Sequence, residues 1–474
     1  MRLATLLHMG QNERPMLLRT ELPYRPDSAA VFETVADLPW AVFLDSGGHH
    51  LTQSRYDIIA AAPHTTLVTR GNLTEIRDDA IALSREDPLT LLRGCLNIDP
   101  AAACDLPFTG GALGCFAYDL GRRFERLPSL AADAEKMPAM AVGIYDWAVV
   151  VDHLDQRSWL VAQGRRGQTH ARWRELVARF SALPAERARV PFRITAPLAS
   201  NLTRDAYAAA FARVLEYIHA GDCYQVNLAQ RFAAPAAGDP WLAYQALRVL
   251  NPAPYSAYVN LPHAQILSAS PERFLKVERG EVETRPIKGT RPRAGHPRVD
   301  AELATELKAS AKDRAENVMI VDLLRNDLSK NCVIGSVKVP KLFDVESFAT
   351  VHHLVSTVTG QLRRNRDALD LLRGCFPGGS ITGAPKLRAM QIIEELEPHR
   401  RGVYCGAIGY LGADGNMDLN IAIRTLVYAH GTISFWAGGG IVADSRLEDE
   451  YQETFDKAAA MLTLLNQAAL SHIR

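Results

Sequence analysis

The sequence carries no surplus of either charge: 53 basic residues balance 53 acidic ones over 474 positions. Nucleic-acid-binding domains show a basic excess or stripe. Here the arginine pairs Arg122-Arg123, Arg363-Arg364 and Arg400-Arg401 are short and scattered, so polyanion binding is not indicated. Cysteine is sparse too, with seven residues (Cys95, Cys104, Cys115, Cys223, Cys332, Cys375, Cys405) and no C-x-x-C pair. Neither a disulfide framework nor a zinc site is indicated, and a reducing cytoplasm fits best. No apolar run reaches membrane-spanning length, and the one in MRLATLLHMGQNERP is too short for a secretory signal. Internal repeats and low-complexity tracts are missing. The phosphate-loop spacing G-x-x-x-x-G-K-[ST] also fails, because Gly383 is followed by Ala384.

What remains is an ordinary globular composition, 47% hydrophobic, in a chain long enough for two to four domains. The first third mixes β-like runs (40–46, 141–152) with helical patches near 86–96 and 167–183, which reads as α+β. Residues 184–200 hold three prolines and no apolar periodicity, so the linker is placed there. Asn201-Leu-Thr203 then offers a cap for a helix that Gly221 stops. Beyond it, apolar runs at 223–232, 255–261, 264–270, 406–411, 417–428 and 433–442 read as strands of a large sheet. Helices at 298–327, 366–374, 385–396 and 446–468 would cover it. The order does not repeat as βαβ units, so the fold class expected is α+β, with layered sheets and covering helices. The domains expected are 1–183 and 201–465, joined by 184–200.

The stretch TRPIKGTRPR (284–293) sets Lys288 between a proline-fixed backbone and Gly289, as suits a loop or strand end lining a cavity. An amine there would be nucleophilic if burial or nearby cations lowered its pKa. Arg285, Arg291 and Arg293 are candidates for those cations, but they have the wrong parity in an extended chain unless the glycine breaks the alternation. Taken alone, the stretch is also the sequence of a solvated basic turn.

Two helices present carboxylates. Asp313 and Glu316 stand three apart in KDRAENVMIVDLLRNDL, and Glu450, Glu453 and Lys457 follow one face of RLEDEYQETFDKAAAML, beside an apolar stripe of Tyr451, Phe455, Ala458, Leu462 and Leu465. One carboxylate from each helix, with waters and an anionic substrate oxygen, is a common way to hold Mg²⁺. Surface salt bridging would give the same pattern. PGGSITGAPKLRAM (377–390) runs from a loop into a helix and points amides at an anion. AGGGIV (437–442) would let amides approach a carboxylate or would mark a bulge. Arg424, expected within the strand IAIRTL, is costly to bury unpaired. A substrate carboxylate and a structural acid are both open as its partner. His353, in VHHLVS, is a lone-histidine signal.

Together these segments resemble the chorismate-utilising enzymes, the family of anthranilate synthase large subunits, aminodeoxychorismate synthase component I, and isochorismate and salicylate synthases. The resemblance rests on GDCYQVNLAQRF, NPAPYSAY, SASPERFL, TRPIKGTRPR, DRAENVMIVDLLRNDL, VHHLVS, PGGSITGAPK, GAIGY, IAIRT and AGGGIVADSRLEDEYQETFDK, in order over 201–462. Weaker similarity runs through FLDSGGHHLTQSRYDI and GGALGCFAYDLGRRFE. It implies an anthranilate synthase component I-like fold. Anthranilate synthases look like PIAGT at the central stretch, whereas the aminodeoxychorismate-forming members resemble this chain in carrying PIKGT. Water-using members carry a lysine where this chain has Gln225.

The resemblance therefore implies amination of chorismate to 4-amino-4-deoxychorismate, on the way to p-aminobenzoate and folate. Lys288 would be the nucleophile and Glu272 the general acid, raised in pKa by burial. Mg²⁺ would be held by Glu316 and Glu453, with Glu450 or Asp313 reaching it through water. Arg424, Tyr410 and the amides of Gly438, Gly439 and Gly440 would grip the other carboxylate, with Thr425, His353 and Lys386 as neighbours. No G-x-C-x-G elbow surrounds any cysteine, so a separate glutamine amidotransferase subunit is implied as ammonia source. Ser46, Gln53, Ser54, Arg55, Tyr56, Pro254, Tyr255 and Ser256 resemble a pocket that binds L-tryptophan in relatives. The alternatives are an anthranilate synthase, disfavoured by Lys288, and a non-catalytic tryptophan-binding sensor. The sensor has no use for Glu272, Lys288, Glu316 and Glu453 together.

Overall fold

The computed structural model describes residues 17–47, 55–100, 104–164, 166–182, 187–348 and 351–470. Its strands form two antiparallel sheets, and the runs beyond residue 200 that read as strands of one large sheet are divided between them. The first sheet orders its main path as Leu18–Leu22, Arg157–Ala162, Trp147–Asp152, Tyr56–Ala60, Ala41–Asp45, Tyr255–Leu261, Ala264–Ser270, Thr425–Ala429, Thr432–Ile441, Gln225–Ala237 and Arg193–Ile194. The second orders Ile287–Pro292, Val351–Gln361, Glu281–Thr284, Arg273–Glu278, Met417–Asn420, Ala407–Gly412, Gly111–Phe116, Met140–Tyr145, Thr65–Arg70, Leu73–Arg77 and Ile81–Ser84.

Side-chain alternation along the strands explains the layering. Val42 joins a core with Leu113, Cys115, Ile266 and Ile408, which lies between the sheets. Its neighbours Ala41 and Phe43 face the other way, toward Trp241, Met461 and Leu465 from the helices Pro240–Leu250 and Leu447–Leu470. Phe116 and Ala112 pack outward from the second sheet with Leu92 and Leu372, from Pro88–Leu96 and Ala368–Cys375. The result is helices, sheet, sheet, helices, the α+β layering expected.

Both sheets draw strands from either side of 184–200. Asp45 pairs with Ser256 in the first, and Gly111 with Gly412 in the second. The segment read as a linker contributes Arg193–Ile194 and Ala199–Ser200, both paired with Gln225–Ala237.

Two apolar runs read as continuous strands are split between the sheets. The run at 141–152 divides at Asp146 into Met140–Tyr145 and Trp147–Asp152, and the run at 417–428 divides into Met417–Asn420 and Thr425–Ala429. Arg424 is thus not inside a strand. It sits in the second crossover with φ 49°, a left-handed conformation uncommon for a bulky residue. The helix expected over 298–327 is two, Pro297–Ala309 and Ala311–Ser329, because the Ser310 side chain accepts from Asp313 N and starts a new helix. No helix among the described residues is long and apolar enough to cross a membrane.

Candidate active site

The site lies where the chain passes from one sheet to the other. Glu272 occupies the turn between Ala264–Ser270 and Arg273–Glu278, and Arg424 ends the turn between Met417–Asn420 and Thr425–Ala429. The two crossovers are tied together: Ile421 N donates to Glu272 O at 3.0 Å, Ser270 Oγ to Ile421 O at 2.6 Å, and Ala269 N to Arg424 O at 3.0 Å.

Lys288 comes to this junction on the edge strand Ile287–Pro292. Its register against Val351–Gln361 shifts between Ile287 and Thr290, at Gly289. Gly289 has φ 87°, and a Cβ there would lie 2.9 Å from both Asp313 Cγ and Leu307 Cδ1, so only glycine fits. The glycine breaks the alternation, yet the arginines do not gather round the lysine. Arg285 pairs with Glu346, Arg291 with Glu306 and Asp313, and Arg293 with Asp300.

Lys288 instead meets a carboxylate. Its Nζ donates to Glu316 Oε1 at 2.8 Å, and Gln225 Nε2 donates to the same oxygen at 2.8 Å. Burial pulls the Lys288 pKa down, but the Glu316 carboxylate outweighs it and holds the ammonium above the ordinary lysine value. This reverses the depression expected, because the nearest charge is negative. Glu316 shows the mirror image: burial pushes it up, and Lys288 more than compensates. Burial pushes Glu272 up to about 7, opposed by a hydrogen bond from Ser380 and by the charge of Lys288.

Glu450 and Glu453 approach from the first turns of Leu447–Leu470. Both reach Gly439, where a Cβ would stand 3.0 Å from Glu450 Oε2 and 3.1 Å from Glu453 Oε1. Glu453 pairs with Lys457 at 2.5 Å, and Lys457 Nζ also donates to Gly438 O at 3.0 Å. Burial raises the Glu450 pKa, with Ser445 opposing and Glu453 adding to it. Its Oε1 accepts from Ser445 Oγ at 2.7 Å, while its buried Oε2 has no partner among the described residues. No group of three or more His, Cys, Asp or Glu side chains among the described residues is close enough to cage a metal alone. Mg²⁺, however, takes one or two carboxylates and completes its shell with water and substrate oxygens. The orphaned Glu450 oxygen, the carboxylate pair over Gly439 and the all-oxygen donor set fit that ion. Asp313 is engaged by Arg291 at 3.2 Å and helps wall in the Lys288 turn.

The glycine run is paired on one edge only. Thr432–Ile441 matches Gln225–Ala237 along its length, but its register with Thr425–Ala429 stops at Phe435 and Leu426. Gly438, Gly439 and Gly440 therefore lie past the end of that pairing, and Arg424 immediately precedes the strand that has ended. Arg424 has no carboxylate partner among the described residues; its Nη1 donates to Asn251 Oδ1 at 3.3 Å, and burial lowers its pKa. His353 accepts or donates at 2.9 Å with Thr290, and burial, helped by Arg424, holds its pKa down to about 3. It is a neutral imidazole between the Lys288 strand and Arg424. Thr425 Oγ1 lies 2.9 Å from Ser268 Oγ in the same junction.

Two residues stand elsewhere. Lys386 donates to Asp327 Oδ2 and to Cys375 O, both at 2.6 Å, which spends it on joining Lys386–Leu396 to the neighbouring helices. Tyr410 lines a separate cavity of about 470 Å³ with Ser46, Arg55, Tyr56, Pro254, Tyr255 and Ser256. It packs at 5.4 Å on Phe108 rather than beside Arg424. Six of the eight residues expected to form a tryptophan pocket thus share one cavity; Gln53 and Ser54 lie outside the described residues. Gln225, Ser380 and Asn251, each touching a candidate site residue, have no sequence signal linking them to their distant partners.

A family model described as chorismate binding enzyme matches residues 42–463. Aminodeoxychorismate synthase component 1 of Escherichia coli (strain K12) is 51% identical over 451 residues, 94% of this chain and 98% of that protein. Anthranilate synthase component 1 of Thermus thermophilus is 40% identical over 459 residues, 94% of this chain and 98% of that protein. The crystal structure of anthranilate synthase component I from Streptococcus pneumoniae superposes with a TM-score of 0.78 at 34% identity, covering 86% of this chain and 92% of that one.

Proposed function

From the premise that the chain belongs to the chorismate binding enzyme family, we propose that it is the aminating component that turns chorismate and ammonia into 4-amino-4-deoxychorismate. The observation that carries this reading is the lysine at 288, largely shielded from solvent in contact with Glu316 and within the electrostatic reach of Glu272. A relative that bears the corresponding name is 51% identical, against 40% for an anthranilate synthase.

The C4 hydroxyl of chorismate is a poor leaving group, and two displacements replace one hard step. The Lys288 amine, once its ammonium proton has passed to Glu316, attacks ring C2. The double bonds shift, and the C4 hydroxyl leaves as water with the proton held by Glu272. Ammonia then adds at C4 and the lysine leaves C2. Glu272 suits this role because burial keeps it protonated near neutral pH. Arg424 and the free edge of the glycine run would hold one substrate carboxylate, with His353 and Thr425 beside them. Glu316 and Glu453, with Glu450, would hold Mg²⁺, which when bound supplies charge neutralisation for the other carboxylate.

Ammonia would come from a separate glutamine amidotransferase subunit, and the product would serve p-aminobenzoate and folate synthesis in the cytoplasm. The seven free cysteines suit that reducing setting. The cavity at Ser46, Tyr56 and Tyr255 would take L-tryptophan.

The test is incubation of the purified chain with chorismate, Mg²⁺ and ammonium, followed by product analysis. Aminodeoxychorismate without pyruvate is expected, and glutamine is expected to replace ammonium only when the second subunit is added. Pyruvate released with fluorescent anthranilate would overturn the reading in favour of anthranilate synthase.

A further inference from the structure

Glu272 is a buried carboxyl at a chain crossover, and a group that must deliver a proton to one oxygen needs its own orientation fixed. Its carboxyl takes a hydrogen bond from the Ile287 backbone amide and one from a side chain far along the sequence. Ser380 Oγ donates to Glu272 Oε1 at 2.7 Å, and Ser380 is itself only 7% exposed.

The Ser380 main chain is held on every side. It belongs to the 3-10 turn Gly379–Ile381. Asn227 Nδ2 donates to Ser380 O at 3.1 Å, Asn227 N to Thr382 O at 2.9 Å, and Arg401 Nη1 to Ile381 O at 3.0 Å. Arg401, 1% exposed, is fixed in turn by two hydrogen bonds to Glu397 at 2.9 and 2.6 Å. The glycines leave no slack: a Cβ on Gly378 would lie 2.7 Å from Ile421 Cδ1, and one on Gly379 2.6 Å from Leu323 Cδ2.

We infer that Ser380 is the positioning residue of Glu272, its hydroxyl fixing the direction in which the carboxyl presents its proton to the leaving oxygen. A serine hydroxyl has one donor and two acceptor lone pairs. It donates to the carboxylate and turns to accept from the acid, so it stays engaged through the proton transfer. The charged and titratable groups facing Glu272 are Lys288, Lys457 and Cys405, with Glu316 and Glu453 beyond Lys288.

This rests on the reading of Glu272 as proton donor, and the experiment separates the two. The carboxyl stretch of Glu272 is titrated by difference infrared spectroscopy without substrate, using Glu272→Gln as reference, in the wild type and in Ser380→Ala and Ser380→Thr. Steady-state kinetics with chorismate, Mg²⁺ and ammonium follow on the same samples. In Ser380→Ala the Glu272 titration is expected to move up by about one pH unit, because a hydrogen bond to the ionised form is lost. There kcat should fall roughly tenfold or more, while KM for chorismate stays within about twofold. Ser380→Thr, which keeps the hydroxyl, should restore both. An unmoved Glu272 titration in Ser380→Ala with Glu272→Gln inactive would overturn the inference alone. A fully active Glu272→Gln would overturn the reading of Glu272 beneath it.

Discussion

Lys288 and Glu316 neutralise each other at 2.8 Å, one on a strand of the second sheet and the other on the helix packed against it. The side chains are 12% and 21% exposed, so the pair is shielded and its partners depend on one another. An amine in this contact rests as an ammonium. To serve as the proposed nucleophile, it would need that carboxylate to be drawn away or to take up its proton.

The first prediction concerns that amine. Quenching the protein with chorismate and Mg²⁺ but no ammonia should leave a covalent adduct on the peptide containing Lys288, read by mass spectrometry. Lys288→Ala should lose the adduct and most of the aminodeoxychorismate formation. Near-normal turnover of the alanine variant with no adduct on the wild type would leave the lysine a substrate-positioning role only.

Glu272→Gln should lower turnover about 10²- to 10⁴-fold, the range general-acid catalysis supplies. It should also change stability with pH. The folded carboxyl titrates at about 7, above its ordinary 4.5. Between these values the native state keeps a proton that the unfolded chain has released, so its contribution is present below 4.5 and is lost as pH rises through 7. Denaturant melts should therefore show the wild type losing stability across this window relative to Glu272→Gln, by an amount on the order of 3 kcal/mol.

Arg424→Met should weaken chorismate binding about 10- to 100-fold in calorimetry, the cost of losing a charged hydrogen-bond donor. The melting temperature of the ligand-free variant should hold or rise, because the guanidinium is partly buried and desolvated without a carboxylate partner among the described residues. A large drop in melting temperature would show that Arg424 is structural first.

Gly439→Ala places a methyl 3.0 Å from Glu450 Oε2 and 3.1 Å from Glu453 Oε1. The carboxylates must spread, and the Mg²⁺ concentration for half-maximal activity should rise about tenfold or more. Ammonium-dependent activity titrated with Mg²⁺ reads this directly. An unchanged requirement would remove Glu450 and Glu453 from the metal site.

Much of this arrangement was legible in the sequence. The helices Arg204–His219, Lys386–Leu396 and Leu447–Leu470 lie close to where periodicity and caps put them. Lys288, Glu316, Glu272 and Glu453 were named from the ordered set of motifs that the family resemblance rests on, since each motif alone also reads as a basic turn or a salt-bridged surface. The division into two sheets was not legible, because an apolar run looks the same whether it stays in one sheet or bends into another. Arg424 shows the difficulty: IAIRTL alternates like a strand, and only the tertiary structure imposes the positive φ. Tyr410 and Lys386 were misplaced for a related reason. A residue inside a family motif marks a neighbourhood, but the face it presents depends on the pairing partner. The Lys288 pKa was read with the wrong sign because the charges adjacent in sequence were positive, while the one adjacent in space was Glu316.

Strands on either side of 184–200 are interleaved in both sheets, and this dictates how the polypeptide is made. Ala41–Asp45 can pair at once with Tyr56–Ala60, and Gly111–Phe116 with Met140–Tyr145, but their other edges are filled only when Tyr255–Leu261 and Ala407–Gly412 have been synthesised. While the ribosome is still at work, the early strands carry bare edges with nothing to cap them, and such edges invite intermolecular pairing. The sheets close late, over large loops, so refolding from denaturant should be slow and concentration-sensitive. A fragment cut at the 184–200 segment would leave both pieces with open edges in both sheets, and neither should persist as a monomer.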